Sequence, residues 1–228
     1  MLFAHSAYAT EDDPALAAAL SRCPGAAAFV KAEAQRQQKD SRAAVDVAPA
    51  NPRLQERLLE MRRVDQEVRA GDWSQPMIEK MLAVDAANLP MIKKIVAEHG
   101  GLPTLREVGA DGVAAAWLLV QHADRDVDFQ RQVLENIMPL VESGDVQPDT
   151  FALLTDRVLV NSGKPQRYGS QLIVVDGRWQ PQPMEGAIAQ VNQRRAEVHL
   201  MPLEDYICVM TQMLPVPVVT SGAGATQK

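Results

Sequence analysis

One apolar stretch of the chain ends in polar residues of the types that enzymes use for proton transfer. Residues 113–120 are apolar on every side, which predicts a helix that is buried all round. Gln121, His122 and Asp124 follow it, and an imidazole there can act as a general acid, a general base or a hydrogen-bonding group for a substrate. The alternative is structural. Gln121 and His122 would satisfy loop backbone groups, and Asp124 or Asp126 would cap the next helix.

Two charged pairs on predicted helices are candidates to support His122. Asp156 and Arg157 are adjacent, so their side chains point in different directions and reach separate partners. We expect Asp156 to orient His122 and Arg157 to bind substrate. Asp65 and Arg69 are four residues apart and can pair along one helix, which favours a structural role for them.

A polar loop over residues 164–171 lies between a predicted helix and a predicted hairpin. It carries Gln166, Tyr168 and Gln171, whose side chains can form a hydrogen-bonding wall around a ligand. Equally, they can form a polar plug that attaches the hairpin to the helices. Under the first interpretation Tyr168 joins His122 as a catalytic residue, and the two glutamines join Gln121 in binding substrate.

Standard catalytic and metal-binding motifs are not found in the sequence. It contains no Gly-x-Ser-x-Gly, no Gly-x-x-x-x-Gly-Lys and no His-Glu-x-x-His. His122 and Asp126 share a helix face, but two ligands do not complete a zinc site. We therefore predict no metal and no cofactor.

The elements that must position these residues are mostly helices. Caps and prolines at Asn51-Pro52, at 74–76 and at Pro148 mark helix starts, and a break is expected at Pro90. One helix is predicted over 127–141. Asp176-Gly177 predicts a type I′ turn between two short strands. The predicted fold class is mainly α, an irregular helical domain with one small β-hairpin near residues 171–182.

The ends of the chain predict four segments. Ala7-Tyr8-Ala9 before acidic residues is typical of a signal-peptidase site, so 1–9 is interpreted as the remnant of a signal peptide. An Ala-rich helical extension and linker over 10–50, a helical core domain over 51–214 and a disordered tail over 215–228 follow. The remnant predicts a periplasmic or secreted protein, whereas an ordinary N-terminus predicts a cytoplasmic one. Export would allow a disulfide between the two cysteines, Cys23 and Cys208, a question the sequence leaves open.

Overall charge and hydropathy exclude some partners. The chain has 29 acidic and 23 basic residues and a formal net charge of −6, which disfavours nucleic-acid binding. No apolar run approaches the roughly 18 residues of a membrane span. The expected partner is a small polar ligand or a peptide, and the oligomeric state is not predicted.

Three blocks of the sequence together resemble a bacterial group, domain-of-unknown-function family 6624. They are residues 117–124, 154–158 and 165–171, and the likeness extends over about residues 54–206. The chain departs from the family at Leu102, where an aromatic residue is common, and at His199, where Gly is common. The resemblance implies a shared polar set and no known activity. That set is Gln121, His122, Asp156, Arg157, Gln166, Tyr168 and Gln171.

Two hypotheses about function follow from these residues. The first is an exported enzyme, hydrolytic or otherwise acid–base in type, that acts on a small polar substrate through His122, Asp156 and Tyr168. The second is a protein without catalytic activity, in which the same residues hold a ligand or peptide or form an internal structural network.

Overall fold

The computed structural model describes residues 14–41, 48–70 and 74–214, with the side chains of 37–41 excluded. Within these ranges the protein is mainly α, with one two-stranded antiparallel hairpin, as predicted. The elements in chain order are α1 (Pro14–Arg22), α2 (Pro24–Ser41), α3 (Pro52–Arg69), α4 (Gln75–His99), α5 (Leu105–Gln121), α6 (Val127–Asn136), α7 (Met138–Glu142), α8 (Pro148–Asn161), β1 (Leu172–Val175), β2 (Arg178–Pro181), α9 (Ile188–Glu197) and α10 (Leu203–Met213).

Side-chain caps define several helix starts. The Leu54 backbone N–H donates to Asn51 Oδ1 at 3.2 Å at the start of α3. The Phe129 N–H donates to Asp126 Oδ1 at 3.0 Å at the start of α6, which confirms the predicted capping role of Asp126. These bonds satisfy backbone donors that have no partner inside the helix.

The hydrophobic core is centred on α5. Every residue from Ala115 to Val120 is buried, as the all-apolar pattern predicts. Helix α3 packs along α5, α4 contacts both of them, and α6 and α8 pack together beside the second half of α5. The core therefore surrounds the helix whose C-terminal end carries His122.

Two predicted helix boundaries are wrong. Pro90 does not interrupt the helix but lies on the exposed side of α4, which continues to His99. The burial of Ile92 and Ile95 on the opposite side of the helix offsets the loss of the backbone hydrogen bond that a proline cannot donate. Conversely, the segment 127–141 forms two helices, because Pro139 sits in the first turn of α7 and cannot continue α6.

The hairpin has the predicted turn. Val175 pairs with Arg178 across Asp176 and Gly177, and both turn residues have positive φ, 50° and 71°. These values are what a type I′ turn requires. The hairpin packs on α10 through an apolar cluster that consists of Leu172, Trp179, Met210 and Leu214.

The N-terminal helices pack on α10 and are bonded to it covalently. Cys23, between α1 and α2, forms a disulfide with Cys208 on α10, with a Cα–Cα distance of 6.0 Å. The structure thus answers the question of cysteine pairing that the sequence leaves open. Residues 1–9, residues 42–47 of the predicted linker and the tail 215–228 lie outside the described residues. In the part of the chain that is described, no helix is both long and apolar enough to cross a membrane.

Candidate functional site

The C-terminal end of α5 brings His122 against a carboxylate of α3. His122 is the C-cap residue of α5 and is 6% exposed, and Asp65 is fully buried. His122 Nδ1 lies 2.9 Å from Asp65 Oδ1 and 3.0 Å from Asp65 Oδ2. Nε2, the other ring nitrogen, has no hydrogen bond to any described residue. The arrangement is an Asp–His pair with one ring nitrogen held and one left for another partner.

Arg69 connects this pair to α4. Its Nη1 donates to Asp65 Oδ1 at 2.7 Å and its Nη2 donates to Asp85 Oδ1 at 2.6 Å, so one guanidinium bridges two carboxylates. Gln66 Nε2 donates to Asp65 Oδ2 at 2.8 Å. Asp65 therefore accepts hydrogen bonds on both oxygens from the protein itself, and this fixes the plane in which it meets His122.

A second ion pair lies near enough to His122 to act on its charge. Arg157 on α8 donates to Asp124 Oδ2 at 2.8 Å, and Asn161 donates to Asp124 Oδ1 at 3.0 Å. We call the set of charged residues around the imidazole the histidine cluster. It consists of Asp65, Arg69, Asp85, His122, Asp124 and Arg157.

The charges of the histidine cluster act on one another. Burial lowers the pKa of His122, and Arg69 and Arg157 act in the same direction, while the Asp65 carboxylate opposes them. Burial acts to raise the pKa of Asp65, but His122, Arg69 and Gln66 together hold it below its ordinary value. The resting pair is consequently a neutral imidazole beside an ionised carboxylate.

Three members of the cluster have the types and spacing of metal ligands. One ligand atom from each of Asp65, Asp85 and His122 lies within 4.8 Å of the others. However, the Arg69 guanidinium bonds both carboxylates and supplies the positive charge that a cation would bring. Because His122 Nδ1 also faces Asp65, these donors are already committed, and they do not fit a resident metal ion.

Asp156, in contrast, lies in a different polar group. Its carboxylate is fully buried and accepts the backbone N–H groups of Arg167 at 2.7 Å, Tyr168 at 2.9 Å and Ser170 at 2.8 Å, and the Ser170 hydroxyl at 2.9 Å. Burial raises the pKa of Asp156, and these hydrogen bonds act in the opposite direction. The expected contact between Asp156 and His122 is not present, since Asp65 takes that position.

The side chains of the two glutamines in the loop bond backbone groups and the Ser170 hydroxyl. Gln166 Nε2 donates to the carbonyls of Gln171 at 3.0 Å and Gln182 at 2.9 Å, and its Oε1 accepts the Gln171 N–H at 2.8 Å. Gln171 Nε2 donates to the Ser170 hydroxyl at 3.2 Å. Gln166 thereby joins the loop to the chain that leaves the hairpin.

Arg195 and Tyr206 close the same loop from α9 and α10. Arg195 donates from Nη1 to the Tyr168 carbonyl at 2.6 Å and from Nε to the Met201 carbonyl at 2.5 Å. The Tyr206 hydroxyl donates to the Ser170 carbonyl at 2.9 Å. We call this set the loop cluster. It consists of Asp156, Gln166, Tyr168, Ser170, Gln171, Arg195 and Tyr206.

The predicted site residues are thus divided between two places. His122 and Arg157 belong to the histidine cluster. Gln121 lies beside it, fully buried, with its Nε2 3.5 Å from the Leu153 carbonyl and its Oε1 without a hydrogen-bond partner among the described residues. The other four are in the loop cluster, namely Asp156, Gln166, Tyr168 and Gln171.

Sequence reasoning missed Asp65 as the partner of His122. The signal was available, because Leu58, Met61 and Asp65 occupy one inward-facing stripe of α3. A carboxylate at a core position requires a buried partner. Asp85 gives the same signal in weaker form, one turn after the buried Met81 on α4.

The fold and the site together define a mainly helical protein with a buried Asp–His pair at the end of its central helix. The chain belongs to a family of unknown function, DUF6624, whose model matches residues 52–218. The match contains both clusters and excludes α1 and α2. No curated protein and no solved structure is significantly similar to the chain.

Proposed function

We propose that the protein is an acid–base enzyme of hydrolytic type, in which His122 is the general base and Asp65 orients it. The observation that supports this most directly is the geometry of the buried pair. Nδ1 faces the Asp65 carboxylate, so the neutral ring carries its proton there and presents a lone pair at Nε2. His122 hydrogen-bonds no serine or cysteine among the described residues, so Nε2 takes its proton from a water or from the substrate.

Asp65 favours that proton transfer and Arg69 and Arg157 oppose it, but the sum of the charges in the cluster favours it. The histidine cluster contains three carboxylates and two guanidiniums, so its formal charge is −1 with a neutral imidazole. A proton taken up by His122 brings this sum to zero. Such fixed charges stabilise an imidazolium as it forms, because they need no reorganisation during the reaction.

The proposal assigns different roles to the two clusters. Arg157 and Arg69 flank His122 and interact with a small polar substrate. Gln121 shapes the wall of the site beside Leu153. Asp156, Gln166 and Gln171 hold the loop rather than the substrate, because their side-chain hydrogen bonds go to backbone groups and to the Ser170 hydroxyl. Tyr168 is part of the loop that they hold, through its backbone N–H and carbonyl.

The same proposal places the protein in the periplasm or outside the cell. The disulfide between Cys23 and Cys208 supports this location, because structural disulfides persist in oxidising compartments and are rare in reducing ones. The small-x-small pattern at Ala7-Tyr8-Ala9 agrees with it.

Chemical modification tests the site without knowledge of the substrate. Diethyl pyrocarbonate acylates a neutral imidazole nitrogen that it can reach. We expect His122 to be carbethoxylated in the native protein, as measured by peptide mass spectrometry. The rate should fall as the pH is lowered, because protonation removes the reactive neutral imidazole. If His122 reacts only after denaturation, the pair is a closed structural network and the proposed function is wrong.

Turnover is then measured on chromogenic p-nitrophenyl acetate and p-nitrophenyl phosphate. Where the parent protein hydrolyses either compound, His122→Gln should lower kcat by about 100- to 10,000-fold, the range of general-base contributions. Asp65→Asn should lower it less. His99→Gln is the matched control, since His99 also ends a helix and also faces a carboxylate, Glu107, at 2.8 Å. It should leave kcat unchanged.

A further inference from the structure

Helix α10 packs on different partners through its two faces. The inner face places Tyr206 and Met210 against the hairpin and the loop cluster. The outer face, with Asp205, Cys208 and Val209, meets α1 and α2. Because the family match begins at residue 52, the outer face belongs to the family domain and its cover lies outside that domain.

The packing between the N-terminal helices and α10 is small. Its buried residues are Leu16, Ala19, Cys23 and Ala26 on one side and Val209 on the other, and four more apolar residues are partly buried around them, Leu20, Met201, Cys208 and Met213. Most of the fully buried side chains are short, and apolar stabilisation scales with the area removed from water. From Ala27 to Arg36 no residue of α2 is buried. The free energy gained from this apolar contact is thus small compared with the conformational entropy lost in ordering two helices.

Specific contacts show that the position of the two helices is nonetheless defined. A Cβ on Gly25 would lie 2.2 Å from Asp205 Oδ1, so the close approach of α2 to α10 depends on this glycine. The exposed Arg22 donates to Gln212 Oε1 at 2.8 Å. Glu33 and Arg36 come close enough to Asp149 at the start of α8 to influence its pKa, in opposite directions. These contacts are all noncovalent, and the Cys23–Cys208 disulfide adds a covalent bond to them.

We propose that α1 and α2 form a disulfide-latched cover over the outer face of α10, and that a dithiol reductant opens it. The reductant supplies two electrons and two protons, the Cys23–Cys208 bond becomes two thiols, and the dithiol is oxidised to its own disulfide. Opening exposes Cys208 and Val209 while the family domain remains folded. This inference does not depend on the proposed enzymatic activity.

Hydrogen–deuterium exchange on the full chain, with and without dithiothreitol, tests the cover. Amides of residues 14–36 should be protected in the oxidised protein and should exchange at least about 10-fold faster after reduction. Amides of α5 and α8 should be unchanged. The proposal is overturned if 14–36 stays protected after reduction, if it is unprotected before reduction, or if α5 loses protection together with it.

A double variant supplies the matched control. Cys23→Ser combined with Cys208→Ser should exchange like the reduced parent, and dithiothreitol should then have no effect, since the chain has 2 cysteines. Protection of 14–36 in this variant would show that packing alone holds the helices. That result would contradict the latch.

Discussion

The two buried polar clusters differ in what their side chains bond. In the loop cluster, Asp156 accepts hydrogen bonds from backbone N–H groups and Arg195 donates to backbone carbonyls, so both charged side chains bond mainly to the backbone. In the histidine cluster, by contrast, the charges are mostly paired with other side chains. Side chains that bond backbone determine where a loop lies. Side chains that bond each other can change charge without moving the loop.

The clusters also differ in how their charges are balanced. The Asp156 carboxylate has no ion-pair partner among the described residues and relies on hydrogen bonds from Arg167, Tyr168 and Ser170. Burial lowers the pKa of Arg195 to about 10, which is the direction expected for a cation bonded to carbonyls rather than to a carboxylate. Removing a hydrogen-bond partner from such a buried charged group lowers the free energy of unfolding substantially. The loop cluster should consequently carry the larger share of stability, and the histidine cluster the larger share of chemistry.

The largest expected effect is that of Asp156→Asn. The new amide places an NH₂ group where the carboxylate accepted backbone and hydroxyl donors, and these buried donors lose their partner. We expect the free energy of unfolding to fall by about 3 kcal/mol. Urea denaturation followed by circular dichroism measures this loss.

Asp85→Asn is the matched control in the histidine cluster. Asp85 keeps 14% of its side-chain surface exposed, and among the described residues its carboxylate accepts a hydrogen bond from Arg69 alone, which an amide oxygen can still accept. Its expected cost is about 1 kcal/mol. Equal losses for the two variants would remove the distinction between the clusters.

The pH dependence of stability tests the histidine cluster. Because burial lowers the pKa of His122, the folded state binds fewer protons than the unfolded state below the ordinary value of 6.5. The contribution of neutral His122 is therefore fully present above that value, and it is lost as the pH falls from that value through the lower pKa of His122 in the folded state. We expect the parent to lose more stability than His122→Gln between about pH 7.5 and about pH 5.

The comparison uses urea denaturation of both proteins at each pH, so that the contributions of carboxylates remote from His122 cancel. His99→Gln should keep the steeper decline that His122 causes. Parallel curves for the parent and His122→Gln would mean that His122 titrates alike in both states. The imidazole would then lack the buried environment that the proposed base requires.

Much of the fold followed from local sequence signals. Asn51-Pro52, the all-apolar run 113–120 and Asp176-Gly177 predicted a helix start, the central helix and the hairpin turn, because each acts over a few residues. The errors at Pro90 and Pro139 have different causes. Pro139 ends α6 by the local rule that a proline cannot continue a helix, whereas tertiary packing of the turn after Pro90 overrides that rule in α4.

The site was predicted less completely, because its partners are far apart in the chain. His122 and Arg157 were identified by type, but the carboxylate that meets His122 is 57 residues away and could not be chosen by spacing. Asp156 was an equally plausible partner on residue type alone. Asp65 and Asp156 both occupy inward positions on their helices, so only the packing of α3 against α5 decides between them, and the role of the disulfide needed the packing of α1 on α10.

The smallest expected effects come from two tyrosines of the loop cluster that differ in how their hydroxyls are used. The Tyr206 hydroxyl donates to the Ser170 carbonyl at 2.9 Å, whereas the Tyr168 hydroxyl makes no hydrogen bond to a described residue. Tyr206→Phe should cost about 1 kcal/mol, the net value of one buried hydrogen bond, and Tyr168→Phe less than about 0.5 kcal/mol. Thermal unfolding of both variants beside the parent resolves the difference. A cost for Tyr168→Phe as large as that for Tyr206→Phe would show that its hydroxyl belongs to the buried network. If Tyr168→Phe instead leaves stability unchanged but lowers hydrolysis of the p-nitrophenyl compounds, the loop cluster would have to be counted as part of the active site.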